Sequence, residues 1–123
     1  MKSALLLSFC LLQALYSCPL QAGKGEGDTQ IGLASYYADR HHNKKTASGE
    51  PYKHHANTAA HMTLPFGSRV KVTNMANGKS IVVRINDRGR FSKGRVIDLS
   101  KAAFKTISNP RAGIIKVKLN VIQ

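Results

Sequence analysis

Residues 69–90 read RVKVTNMANGKSIVVRINDRGR, and their alternation argues for β-structure. Arg69, Lys71 and Thr73 alternate with Val70 and Val72, as a strand with one wet face requires. Asn77-Gly78 follows, a strong hairpin signal, because a type I′ turn needs positive φ at both central residues. Lys79–Asn86 is the returning strand, with Asp87 at its end in Asn86-Asp87-Arg88-Gly89-Arg90. Gly89 permits a sharp turn that would present the Asp87 carboxylate at a cleft. A turn aspartate bonding its own backbone is the competing reading.

Working outward, Leu33, Ser35 and Tyr37 alternate with Ala34 and Tyr36, and Ile114–Val121 alternates again near the chain end. One helix interrupts the strands. Asp98 or Ser100 caps its start, Ala102, Ala103, Phe104 and Ile107 share one side, and Asn109-Pro110 stops it. The fold class is therefore all-β, a small closed barrel without vulnerable sheet edges, carrying one or two short helices. With 123 residues there is one domain and no room for a cofactor-binding domain beside a substrate domain, so no cofactor is expected.

The first 22 residues are read as processing signal, not fold. Lys2 supplies a positive start, Ala4–Tyr16 is an apolar run too short for the ~20 residues of a membrane helix, and Ala22 offers a small residue for cleavage. The protein is expected to be exported to the periplasm or cell envelope. Leu15-Tyr16-Ser17-Cys18 also has the form of a lipobox, so a lipid on Cys18 is the alternative route and would tether the chain to a membrane. Both cysteines, Cys10 and Cys18, lie in this leader, which leaves no thiol for a disulfide or a metal beyond it. Gly23–Gln30, GKGEGDTQ, reads as a flexible tether, and residues 31–123 as the domain.

Nineteen Lys+Arg against six Asp+Glu give a formal net charge of +13, which points to an anionic partner. Nucleic acid is not expected, for lack of a recognition helix or a stacked aromatic platform and because the chain is exported. Acidic residues are so scarce that each can be weighed. Glu26 and Asp28 fall in the tether, and Asp39 has no distinguishing context. Glu50 lies in the polar loop Lys45–Pro51, where a solvated surface charge is the plain reading. Asp98 stands between Ile97 and Leu99, where helix capping would explain it. The pairs His41-His42 and His54-His55 lack metal-ligand spacing, and no metal site is expected. His61, in Thr58–Pro65, suits a semi-buried structural histidine as well as a proton-transfer group.

Taken together the motifs are specific. Ala34-Ser35-Tyr36-Tyr37, Lys45–Glu50, Thr58-Ala59-Ala60-His61, Leu64–Val70, Val72-Thr73-Asn74, Asn86–Gly89 and Ile97-Asp98-Leu99-Ser100 occur in one order. In that order the chain, from Ile31 to Val121, resembles the rare lipoprotein A family of endolytic peptidoglycan transglycosylases. The resemblance implies a six-stranded double-psi β-barrel. It also implies a lytic activity that breaks MurNAc–GlcNAc β-1,4 bonds in strands stripped of stem peptides and leaves 1,6-anhydro ends. The family's active-site groups match Glu50, His61 and Asp87, with Asp98 as a lower-ranked candidate. Asp87 is assigned the acid/base role, Glu50 electrostatic support, and His61 the orienting of one of them or of the sugar; exchanging the roles of Asp87 and Glu50 fits the sequence equally well. Substrate contacts are expected from Tyr36, Tyr37, Thr46, Ser48, Tyr52 and Arg88. The lactyl carboxylates of stripped strands make peptidoglycan a natural anionic partner. A non-catalytic, expansin-like glycan-binding module is the alternative.

Overall fold

The computed structural model describes Asp28–Gln123; the expected leader, the Cys18 lipidation site and most of the tether lie outside these residues. Six strands form the fold: β1 (Thr29–Tyr36), β2 (Thr58–His61), β3 (Arg69–Asn74), β4 (Ser80–Asp87), β5 (Arg95–Leu99) and β6 (Ile115–Val121). One helix, α1 (Lys101–Ile107), follows β5. The strands close in the order β1-β5-β2-β4-β3-β6. The β1/β5 and β2/β4 pairs are parallel and the other four antiparallel, so two crossovers stitch the barrel. This is a double-psi β-barrel. No described helix is long and apolar enough to cross a membrane.

Strand alternation fills the interior with Val70, Val72, Val83, Ile85, Ile97, Leu99, Val117 and Leu119, each at most 1% exposed. Ala103, Phe104 and Ile107 of α1 close one end of this core. Ser100, not Asp98, caps the helix, its Oγ accepting from the Ala103 N–H at 3.2 Å. Asp98 is a residue of β5 instead.

Three further expectations are corrected. The β3–β4 hairpin forms, but Gly78 (φ +78°) takes positive φ and Asn77 does not, so the turn is not type I′. A longer loop results, because Asn74 and Asn77 both donate to the Ile107 carbonyl and so bind the turn to the end of α1. Gly89 is not in the left-handed region either. Its hydrogen matters because a Cβ there would strike the Phe91 ring, which folds back over Tyr37, Tyr52 and Ala60. Thr29 and Gln30, read as tether, already belong to β1.

Candidate active site

The outer face of β1, β5, β2 and β4 builds the site. In register across it stand Ser35 with Asp98, Asp98 with Ala60, and Ala60 with Asp87. Residues opposite one another on neighbouring strands share a face, so two carboxyls flank a floor made by the smallest chiral side chain. The next positions, Ala59, Ile85 and Leu99, turn into the core. A bulge between Ala59 and Ala60 is what brings Asp87, rather than Asn86, onto this face.

Asp87 is half-buried and held at three points. Its Oδ1 accepts the N–H of Ala47 at 2.8 Å and of Arg88 at 2.9 Å, and its Oδ2 accepts the Tyr37 hydroxyl at 2.5 Å. Burial, and then that bond to Asp87, push the Tyr37 hydroxyl well above the usual phenol range. Asp98 accepts the Ser35 hydroxyl at 3.1 Å, and Arg95 in turn donates to Ser35. Burial raises the Asp98 carboxyl above its ordinary range, and Asp87's charge adds to this while Ser35 and Arg95 oppose it.

Glu50 reaches the end of β4, beside Asp87, by way of its loop. The loop closes on itself through the Lys45–Pro51 bridge and the Thr46 hydroxyl, which donates to the Glu50 carbonyl at 2.7 Å. It lies along the end of β4, where the Ser48 N–H donates to the Asn86 carbonyl and the Ala47 N–H to Asp87. The Glu50 carboxylate meets Arg84 in a two-pronged contact at 2.9 and 3.1 Å and accepts from Asn86 Nδ2 at 3.1 Å. The Arg84 hydrogen bonds, followed by that of Asn86, hold its carboxyl below the usual range. The solvated surface charge is thus a tied one, about half exposed. Glu50 and Asp87 are brought together by one loop.

His61 is not brought to them by its ring. On β2 it follows Ala60 and so points to the other side of the strand. Its Nδ1 accepts the N–H groups of Thr63 and Leu64, both at 3.1 Å, which leaves Nε2–H to donate to Gln30 Oε1 at 3.0 Å. Burial, with Arg88 adding, lowers its pKa and favours this neutral tautomer. The ring borders a cavity of about 290 Å³ beside Gln30, Leu64 and Leu119 that none of the three carboxyls lines. Its link to the trough is its carbonyl, which accepts Arg88 Nη1 at 2.9 Å.

The expected sugar contacts divide in the same way. Tyr36 packs its ring 4.6 Å from Phe104 and donates to the Pro110 carbonyl, so it belongs to the helix interface. Tyr52 is 1% exposed, stacked on Tyr37 at 4.1 Å, with its hydroxyl between His54 Nδ1 and the Lys101 N–H. Thr46 is buried and, with Ser48 at 3.0 Å, shapes the loop from within. Each of these four has a partner within the protein that gives it a scaffold role. Arg88 stays at the rim, its guanidinium 4.4 Å over the Phe66 ring. Tyr37, though nearly buried, touches the Asp87 carboxylate itself. Sequence reading missed the Ser35–Arg95–Asp98 chain and the Arg84–Asn86 clamp on Glu50. The outward alternation of Ser35 on β1 and Arg84 on β4 was the available signal.

A barrel of this topology with carboxyls gathered over its outer face defines a class, the double-psi barrels of expansin-like build. Solved structures agree: a Streptomyces papain inhibitor matches with TM-score 0.66 and 22% identity over 80% of this chain and 97% of that one. A Clavibacter michiganensis expansin, solved as a point mutant in complex with cellohexaose, matches with TM-score 0.62 and 20% identity, over 78% of this chain and 51% of that one. Within the class the relationship is narrower. The family model described as lytic transglycolase matches residues 29–119, and the chain belongs to that family. The endolytic peptidoglycan transglycosylase RlpA of Vibrio cholerae is 52% identical over 97 residues, 79% of this chain and 37% of that protein. Its namesake from Neisseria meningitidis serogroup A is 51% identical over 94 residues, 76% and 39% respectively. The chain spans well under half the length of these curated relatives.

Proposed function

We propose that the protein is a lytic transglycosylase of the cell envelope. It cleaves the MurNAc–GlcNAc β-1,4 bond of peptidoglycan strands stripped of stem peptides and leaves 1,6-anhydro-MurNAc ends. The observation that supports this reading is the docking of loop 45–51 on the end of β4, which ties the Ala47 N–H to Asp87 and the Glu50 carboxylate to the neighbouring Asn86. Family membership and the relatives' printed names support it.

Breaking the bond takes an acid for the leaving oxygen, negative charge beside an oxocarbenium-like transition state, and a base for the sugar's own C6 hydroxyl. Asp87 is the acid/base. Tyr37, whose hydroxyl both donates to a carboxylate and accepts from a carboxylic acid, keeps Oδ2 aimed in either state. The proton leaves Oδ2 for the glycosidic oxygen and returns to it from the C6 hydroxyl as the anhydro ring closes, so no water is consumed. Glu50, kept ionised by Arg84, supplies the standing negative charge. Asp98 is the second carboxyl of the floor, and its burial favours the protonated form. His61 holds the β2 end and, through its carbonyl, Arg88. The substrate's lactyl carboxylates suit the cationic rim, an exported chain meets this polymer in the periplasm, and a lipid on Cys18 would keep it at a membrane.

The test is digestion of stripped glycan strands followed by mass analysis. Anhydro-ended fragments, absent with Asp87→Asn and Glu50→Gln, are the expected result. Ordinary reducing ends would make the enzyme a hydrolase, and binding without fragments would make it an expansin-like binding module.

A further inference from the structure

In the strand order β1-β5-β2-β4-β3-β6, β6 lies three places from β2, directly across the barrel from the trough floor. Its outward residues are Lys116 and Lys118, alternating with the buried Val117 and Leu119. Lys71 of β3 adds to the row, in register with Asn120. Neither β3 nor β6 contains an acidic residue. Among the described residues none of these three lysines makes an ion pair, whereas Lys101 pairs with Asp39 and Arg84 with Glu50. Three of the large apolar side chains that stand about half exposed border the same row. Ile31 is opposite Lys118, the Met75 N–H donates to the Lys116 carbonyl, and Ile114 immediately precedes β6.

We propose that this face docks the domain on an anionic phospholipid surface, with Lys71, Lys116 and Lys118 on headgroup phosphates and Ile31, Met75 and Ile114 at the acyl boundary. Free lysines alone would suit any polyanion. Aliphatic tips set among them match the interfacial region of a bilayer, which solvates both, better than a hydrated glycan, whose narrow C–H faces are better covered by flat aromatic rings than by aliphatic tips. The chain also enters the barrel on this side, since the Asp28 carbonyl accepts from Val121 of β6 and Thr29 pairs with Asn120. Docked this way, the trough on β5, β2 and β4 points away from the bilayer.

The full-length chain is compared with Lys71→Gln/Lys116→Gln/Lys118→Gln, which keeps the same N-terminal segment. Both are sedimented with vesicles of phosphatidylcholine alone or mixed equally with phosphatidylglycerol. Each lysine near an anionic surface is worth roughly fivefold in partitioning, so the triple variant should bind the mixed vesicles about a hundredfold more weakly at low salt. On neutral vesicles the two proteins should bind alike. Amine labelling of the wild type gives a second readout, independent of the variant's folding: mixed vesicles should protect Lys71, Lys116 and Lys118 and leave Lys44 and Lys45 reactive. Equal binding of both proteins to mixed vesicles, or the reverse labelling pattern, overturns the proposal. So does a triple variant that loses stripped glycan strands while keeping vesicles. Glycan cleavage in free solution should be unchanged in the variant, so the outcome is separate from that of the enzymatic reading.

Discussion

Around the trough, Asp87, Glu50, Asp98, Arg84, Arg88 and Arg95 are each tied to a partner, while across the barrel Lys71, Lys116 and Lys118 stand untied among the described residues. The first arrangement holds charge in fixed positions, which is what the proposed reaction would ask of a site around its transition state. The second leaves charge free to meet a surface whose phosphates are not fixed in place. One cationic chain thus uses its side chains as a rigid frame on one face and as an adaptable contact on the other.

The contrast breaks most simply at Asp87. Asp87→Asn keeps the size of the group and an acceptor for Ala47 and Arg88 but removes the transferable proton. The rate of anhydro-product release should fall by about 10³-fold or more with the melting temperature little changed. A variant retaining a tenth of the activity would move the acid/base role to Asp98. Tyr37→Phe probes the frame without touching the carboxyl, since the stack on Tyr52 remains. Losing a hydrogen bond to a charged group should lower kcat by roughly 10- to 100-fold with KM nearly constant. It should also shift the pH profile of kcat, which a merely structural tyrosine would not do.

Much of this was legible in the sequence. The alternation in β3, β4 and β6 is visible because each has one wet face, and the helix cap, its apolar side and its stop are local signals. β2 was not legible: Thr58-Ala59-Ala60-His61 is buried throughout, so it has no alternation to read. The trough depends on it nonetheless, because Ala60 is where the two crossovers bring Asp87 and Asp98 to one floor. Carboxyls 11 residues apart in sequence meet there through pairings that no local period encodes. For the same reason Tyr36 and Tyr52 looked like sugar platforms: an aromatic in a short strand or loop reads alike whether it covers a groove or a helix. The partners of the His61 ring, Gln30, Thr63 and Leu64, carry no local signal in the sequence either.

His61 sharpens the comparison from the structural side. Its pKa is lowered in the folded protein from an ordinary value near 6.5, chiefly by burial. The unfolded chain therefore takes up the proton first as pH falls. Stability from this site is complete above about pH 6.5 and declines as pH drops toward the folded value. Denaturant titrations from pH 8 to 5 should show that decline, and His61→Gln should flatten it while costing about 1–3 kcal/mol at pH 8 through unsatisfied Thr63 and Leu64 N–H groups. Loss of glycan cleavage with the pH slope and stability intact would instead restore His61 to the chemistry.

The smallest effects separate the two faces most directly. Arg84→Gln removes a half-exposed pair and leaves Glu50 with Asn86, so it should cost up to about 1 kcal/mol at low salt. Lys118→Gln removes a charge with no ion-pair partner from a chain of net charge +13. Its effect should stay within about 0.5 kcal/mol, and its sign should be stabilising at low salt, because self-repulsion is relieved. Melting curves at low salt and at roughly half-molar salt should draw the two variants together as screening removes both terms. Were Lys118→Gln to destabilise as much as Arg84→Gln, the lysine row would be part of the frame, and its freedom to meet a bilayer would be gone.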